Sequence, residues 1–273
     1  MMASSRQSTP LASADSPPSA GPRINPPFHA PTHQTAPEGD TSRAELMRRG
    51  YILYGSCQYG AAIAYFNRAI NLAQDALALH GRGLAQAKVG DYEAAVKDFR
   101  QALKLCSDDA QLWYNCGMAL SGLGHHRWAI SCFNQSIRLH PCNHHTWYNR
   151  SRSLRACRHY QAALENLNRT IQLKPDCHYA WRYRGFVLSA MKRYPEAIAS
   201  FSEALKLKEP DLIAWYGKAQ AAVRLNDIES AIHCLHQTFR LNPVGYQQLV
   251  RSRREFDPVR SDGRFIDLIS NLA

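Results

Sequence analysis

Long apolar runs are missing from this chain. The longest, such as Tyr51 to Tyr54 or Ala61 to Phe66, fall far short of the ~20 residues needed to cross a bilayer, which excludes a helical membrane span. No positively charged region followed by an apolar stretch opens the sequence, and 8 Cys in 273 residues do not describe a disulfide-stapled fold. A reducing, cytoplasmic protein is therefore expected. Catalytic signatures are missing too: there is no Gly-rich phosphate loop, no His-Glu-x-x-His and no G-x-S-x-G, and Asp108 and Asp109 sit in a loop after a helix. The chain is expected not to be an enzyme. Carboxylates are scarce, with 22 Asp and Glu against 33 Lys and Arg, a formal charge of +11. Residues 1–42 carry −1 and residues 245–273 carry +1, so 43–244 hold the whole surplus. A positive middle favours acidic partners: peptide carboxylates, nucleic acid or anionic membrane surfaces.

What is present falls into two compositions. Residues 1–41 hold eight Pro and many Ser, Thr and Ala with almost no periodic apolar pattern, a composition that cannot offset chain entropy. A disordered Pro/Ser-rich leader is expected there. From Ser42 onward the sequence repeats. Trp113, Trp147, Trp181 and Trp215 stand 34 residues apart, leaving Trp128 outside the series. Ala62, Ala95, Ala129, Ala163, Ala197 and Ala231 keep the same period apart from one step of 33. Four residues beyond each lies Phe66, Phe99, Phe133, Leu167, Phe201 or Leu235. Small and bulky residues at these spacings share one helical face, so a neighbouring helix can approach closely while the large side chain fills the gap. Loop signals at 88–92 and 123–126 split each unit into two helices, and Pro141, Pro175, Pro210 and Pro243 mark breaks between units.

Trp113, Cys116, Gly117, Leu120, Ala129, Phe133 and Pro141 follow the pattern W-x2-L-G-x2-Y, A-x3-F and P, so the chain resembles the tetratricopeptide repeat family. The resemblance implies an all-α fold, a right-handed α-solenoid of six helix-turn-helix repeats at 42–75, 76–109, 110–143, 144–177, 178–211 and 212–244. Ser151 and Ala219 replace the usual Gly, and Thr170 and Thr238 the usual Ala; looser local packing is expected there. Stacked repeats leave terminal faces that need covering, and 245–273 is expected to supply a helical cap. Tyr246, Leu249, Val250 and Phe256 would cover the last repeat, with Phe265, Ile266, Leu268, Ile269 and Leu272 on a second short amphipathic helix.

In this family the first helix of each repeat lines the concave face. That implies a groove formed by Met47, Arg48, Tyr51 and Tyr54, then His80 and Leu84, then Tyr114, Asn115 and Met118. The next units add His145, Tyr148, Asn149 and Arg152, followed by Tyr179, Arg182, Tyr183 and Phe186, and the sixth adds Tyr216, Gln220 and Arg224. Tyr offers flat area at low rotamer entropy, Asn can bond a bound backbone and Arg can fork onto a carboxylate. An interaction scaffold holding an acidic peptide or partner surface is expected. The competing reading is that several of these Tyr pack against the next repeat with no ligand.

Other ligand classes fare less well. Chaperone-binding members of the family grip a Glu-Glu-Val-Asp tail with five polar groups, and the corresponding residues here are Tyr114, Met118, Asn149, Tyr179 and Tyr183, of which one survives; that role is not expected. Nucleic acid is the alternative partner, since Arg beside Tyr and Phe can neutralise phosphates and stack bases. The charge, however, also spreads to outer positions such as Lys97, Lys104, Lys206 and Lys208, as a solvated surface would have it. Cys142, His144 and His145, with Cys177 and His178 one unit later, do not have zinc-site spacing. His125 and His126 lie at the far end of a helix. No metal or other cofactor is expected, and Cys116 is read as a small core residue.

Overall fold

The computed structural model describes residues 42–270; the expected leader and Leu272 lie outside the described residues. Six helical pairs follow one another: α1 (Arg43–Gly55) with α2 (Tyr59–Leu72), α3 (Ala76–Lys88) with α4 (Tyr92–Leu105), and α5 (Ala110–Gly122) with α6 (His126–Leu139). Then come α7 (His144–Ala156) with α8 (Tyr160–Leu173), α9 (His178–Ala190) with α10 (Tyr194–Leu207), and α11 (Leu212–Arg224) with α12 (Ile228–Leu241). The chain closes with α13 (Pro243–Ser252), a 3-10 turn (Arg254–Val259) and α14 (Gly263–Ser270). Among the described residues there are no strands.

Local chemistry sets the helix ends. Asp75, Asp91, Asp109, Asn143, Asp211 and Asp227 each accept a backbone N–H from the first turn of the helix that follows, satisfying donors that the helix itself leaves open. The turn inside every pair passes through a left-handed residue: Cys57, Gly90, Gly124, Arg158, Lys192 and Asn226, with φ between 59° and 88°. Only two of the six are glycine, which is why the sequence announces two of these turns and hides the others.

Each pair packs within itself and against the next, and consecutive first helices touch: α1 with α3, α3 with α5, α5 with α7, and α9 with α11. Consecutive second helices make no contact of that extent, so the first helices form the inner layer of the stack. The buried core falls into successive clusters along the stack, with Phe66, Phe99, Phe133, Phe201 and Phe239 fully buried. Phe201 is a wedge: a Cβ placed on Gly185 would lie 2.7 Å from its ring, and one placed on Gly217 of the next pair would lie 2.6 Å away.

Packing at the departures is tight, which corrects the looser packing expected there. Ser151 and Ala219 are fully buried, and 16 residues on, where Gly83, Gly117 and Gly185 of other repeats have a Phe ring against them, stand Leu167 and Leu235, also fully buried. The smaller side chain at that register leaves room for the extra Cβ. Thr170 and Thr238 are equally buried and turn their hydroxyls back onto the carbonyls of Asn166 and Cys234 at 2.9 and 2.8 Å, so no polar group is stranded. At the C-terminal end Val250, Phe256, Val259, Phe265 and Ile269 join Tyr216, Ala219, Val223 and Leu235 in one cluster. Ile266, expected on the covering face, is exposed instead.

Candidate functional site

The inner helices share an unusual charge pattern. From α3 to α11 the five first helices contain no Asp or Glu, while they carry Arg82, Lys88, Arg150, Arg152, Arg155, Arg182, Arg184, Lys218 and Arg224. Several of these are already committed to structure. Arg82 forks onto the buried Asp98 at 2.6 Å and reaches Asn67 at 2.7 Å. Arg150, Arg184 and Lys218 sit over the rings of Trp147, Trp181 and Trp215. The indoles in turn cap the loops between pairs: Trp113, Trp147 and Trp181 donate to the carbonyls of Ser107, Pro141 and Pro175 at 2.8, 2.8 and 3.0 Å.

Tyr114, Tyr148, Tyr183 and Tyr216, expected to line an open groove, are buried, Tyr216 against Tyr246 and Phe256 of the C-terminal segment. Asn115 and Asn149 are buried with them. Asn149 donates to the Tyr114 hydroxyl at 3.0 Å, Asn115 lies 2.8 Å from His80 Nε2, and Arg155 donates to the Tyr183 hydroxyl at 2.6 Å. Burial pushes the Tyr114 and Tyr148 hydroxyls up to about 12. These residues form the floor of the inner face, a hydrogen-bonded ladder from repeat to repeat. Tyr51 and Phe186 are half-buried and lie edge-on to Phe66 and Phe201 at 5.1 and 5.0 Å.

Above that floor, Arg152 and Tyr179 are half-buried and Arg224 is exposed. The positive field of Arg152 reaches Tyr114, Tyr148 and His126. Arg48 is bonded to Glu45 at 2.7 Å. Arg182 is bonded to Asp211 at 2.7 Å, and Asp211 meanwhile caps α11 through its other oxygen. Gln220 and Tyr216 meet Glu255 of the C-terminal turn at 2.6 and 3.4 Å. Asp211 and Glu255 thus belong to the inner face although sequence reasoning missed them. Glu255 carries no repeat signal, and Asp211 reads simply as the start of a helix.

Among the described residues no group of three His, Cys, Asp or Glu side chains is gathered to hold a metal. His144 and His145 stack at 4.0 Å, and His145 faces the Tyr179 hydroxyl at 3.4 Å. Cys116 is buried 3.9 Å from Cys132; the neighbouring thiol and burial push it up. Burial lowers His80, His126, His144, His145 and His178, His144 from 6.5 to about 4, with His145 and Lys174 adding to the effect there. The inner-face charge at neutral pH therefore comes from Arg and Lys. Below about pH 6.5 the unfolded chain takes up these protons before the folded one does, so stability should fall as pH drops toward about 4. Melting temperatures between pH 7 and 4.5 check this, and His144→Gln should flatten the slope.

A family model described as TPR repeat matches residues 83–124, and two described as tetratricopeptide repeat match 110–141 and 148–211. The chain is a tetratricopeptide repeat protein. No curated protein matches it in sequence. Among solved structures, a tetratricopeptide fold of similar course occurs in the C-terminal part of a repeat protein from Cytophaga hutchinsonii, at 16% identity and TM-score 0.68 over 83% of this chain and 93% of that one. Pseudomonas aeruginosa PilF aligns at 16% identity and TM-score 0.65 over 77% and 97%. YrrB, described as a TPR protein with an unusual peptide-binding site, aligns at 18% identity and TM-score 0.59 over 66% and 94%. At these identities the likeness is one of fold. Among the described residues no helix is long and apolar enough to cross a membrane.

Proposed function

We propose that the protein is an interaction scaffold that holds an acidic peptide segment against its inner face. The observation that carries this reading is the run of five consecutive inner helices without a carboxylate, α3 to α11. A chain that merely needed solubility would mix both signs on an exposed face. The aromatic floor is fixed by packing and hydrogen bonds, so a ligand meets a rigid surface and loses little to reorganisation. Arg152 and Arg224 would meet its carboxylates, with Tyr179 and His145 beside them. That YrrB, of the same fold, is described as having a peptide-binding site is in keeping with this use of the scaffold. Nucleic acid would draw on the same cations but would find few rings free for stacking, because the tyrosines are buried.

Titration of a fluorescein-labelled Glu/Asp-rich peptide, read by anisotropy, tests the reading. Arg152→Ala with Arg224→Ala should weaken binding at least tenfold, and added salt should weaken the wild type. Equal binding by wild type and variant would overturn it, as would an oligonucleotide that binds while the peptide does not. Arg182→Ala is a poor choice for this purpose, because it strips the buried Asp211 of its ion pair.

A further inference from the structure

Trp128 breaks the packing rule that governs the rest of the chain. In the other five repeats its place is taken by Ala61, Ala94, Ala162, Glu196 and Ser230, all small or polar. The other four tryptophans are half-buried, whereas Trp128 is 65% exposed on the first turn of α6. Nothing in the repeat requires a large apolar ring there, and a ring that size left in water marks a contact surface.

On α4 and α6 the exposed Lys and Arg outnumber the exposed acids five to one. Lys97, Arg100 and Lys104 follow one another at helical spacing along the outward side of α4, and Arg127 and Arg138 do so along α6; all five are exposed. None has an ion-pair partner among the described residues, in contrast to Lys206, which pairs with Glu203 at 2.6 Å. α6 contains no carboxylate. On α4 Asp98 is buried and held by Arg82, leaving Glu93 as the exposed acid of the two helices. α4 and α6 are the second helices of consecutive repeats, and α5 packs against both.

We propose that the outward face of α4 and α6 docks on an anionic membrane surface, with Trp128 seated at the headgroup level and the five cations against the lipid phosphates and carboxylates. The face lies on the side of the repeats away from the inner layer, so it suits a flat partner. One projecting indole on a basic face is the combination that peripheral binding uses, because neither a single apolar contact nor charge alone holds a protein there. A single-stranded nucleic acid would be served by a succession of rings on which to stack bases, and this face offers one. The surface is distinct from the inner face and does not depend on what binds there.

Flotation of the full chain with vesicles of phosphatidylcholine alone, or with about a third phosphatidylserine, is the direct test. The wild type should float with the anionic vesicles at low salt, stay behind with the neutral ones, and be released in high salt. Trp128→Ala should reduce the bound fraction at least fivefold and Arg100→Glu with Arg127→Glu at least tenfold, with helix content unchanged by circular dichroism. Arg158→Glu with Lys192→Glu, which alters net charge equally elsewhere, should retain most of the binding. No flotation with anionic vesicles, or equal loss in both charge variants, would overturn the proposal. So would retention of a single-stranded oligonucleotide through the same residues in the absence of vesicle binding.

Discussion

Truncating Phe201 to Ala is expected to lower stability by about 3–5 kcal/mol, the range for deleting a fully buried aromatic ring. The ring is pinched between Gly185 of its own pair and Gly217 of the next, so its loss empties the joint between two repeats. In a stack held by nearest-neighbour contacts, a weak joint separates the repeats on either side. Gly185→Ala makes the complementary point. Its Cβ would lie 2.7 Å from a ring that is itself fully buried, an overpacking worth about 1–3 kcal/mol against about 1 kcal/mol gained in helix propensity. The net effect should be destabilising. In a Phe201→Leu background the sign should reverse, because the added methyl then occupies space the ring has left, the combination that Ala219 and Leu235 already form. Urea unfolding of the four proteins in the cycle measures the coupling; additive changes would show that the facing residues do not share one volume.

That coupling also shows what could and could not be read from the sequence. The 34-residue period of Trp and Ala was legible because the same packing problem is solved six times, and a solution repeated at fixed spacing stands out. Departures from the period were visible as well, but their consequence was not. Looser packing was expected at Ser151, whereas Ser151 and Leu167, at the register of the Gly and Phe of other repeats, are both fully buried. Among the inner-face residues, the family resemblance placed Tyr114, Tyr148 and Tyr183 in the groove, yet a side facing the groove and a side facing the next first helix differ by less than one residue's rotation. The decision rests on contacts such as Asn149 to Tyr114, 35 residues apart. Asp211 caps α11 with one oxygen; its second oxygen, which takes Arg182, belongs to a pairing no local pattern announces. Trp128 was legible as an exception and no more, since its meaning depends on cations contributed by a different repeat.

The C-terminal segment should prove indispensable to the sixth repeat. Without 246–273, Tyr216, Val223 and Leu235 would lose Val250, Phe256, Val259 and Phe265, which complete their cluster. The Phe256 ring lies 5.8 Å from that of Tyr216, and Tyr246 meets the same ring at 5.0 Å. Exposed faces of this kind are what a following repeat would bury, so a truncated chain should self-associate and melt lower. Phe256→Ala, which keeps the chain length, should cost about 3–5 kcal/mol and loosen α11 and α12 before the rest. Hydrogen exchange would then show early loss of protection over 212–241, with α3 to α8 little changed. A truncated protein that stays monomeric and melts with the whole chain would mean that the last pair is stable by itself. The segment also reaches the inner face, because Glu255 of its 3-10 turn sits on Gln220. Removing it should therefore expose Gln220 to a ligand while weakening the helix that carries it, and the two effects separate in a Glu255→Gln variant, which alters the charge at the inner face and leaves the apolar cluster in place.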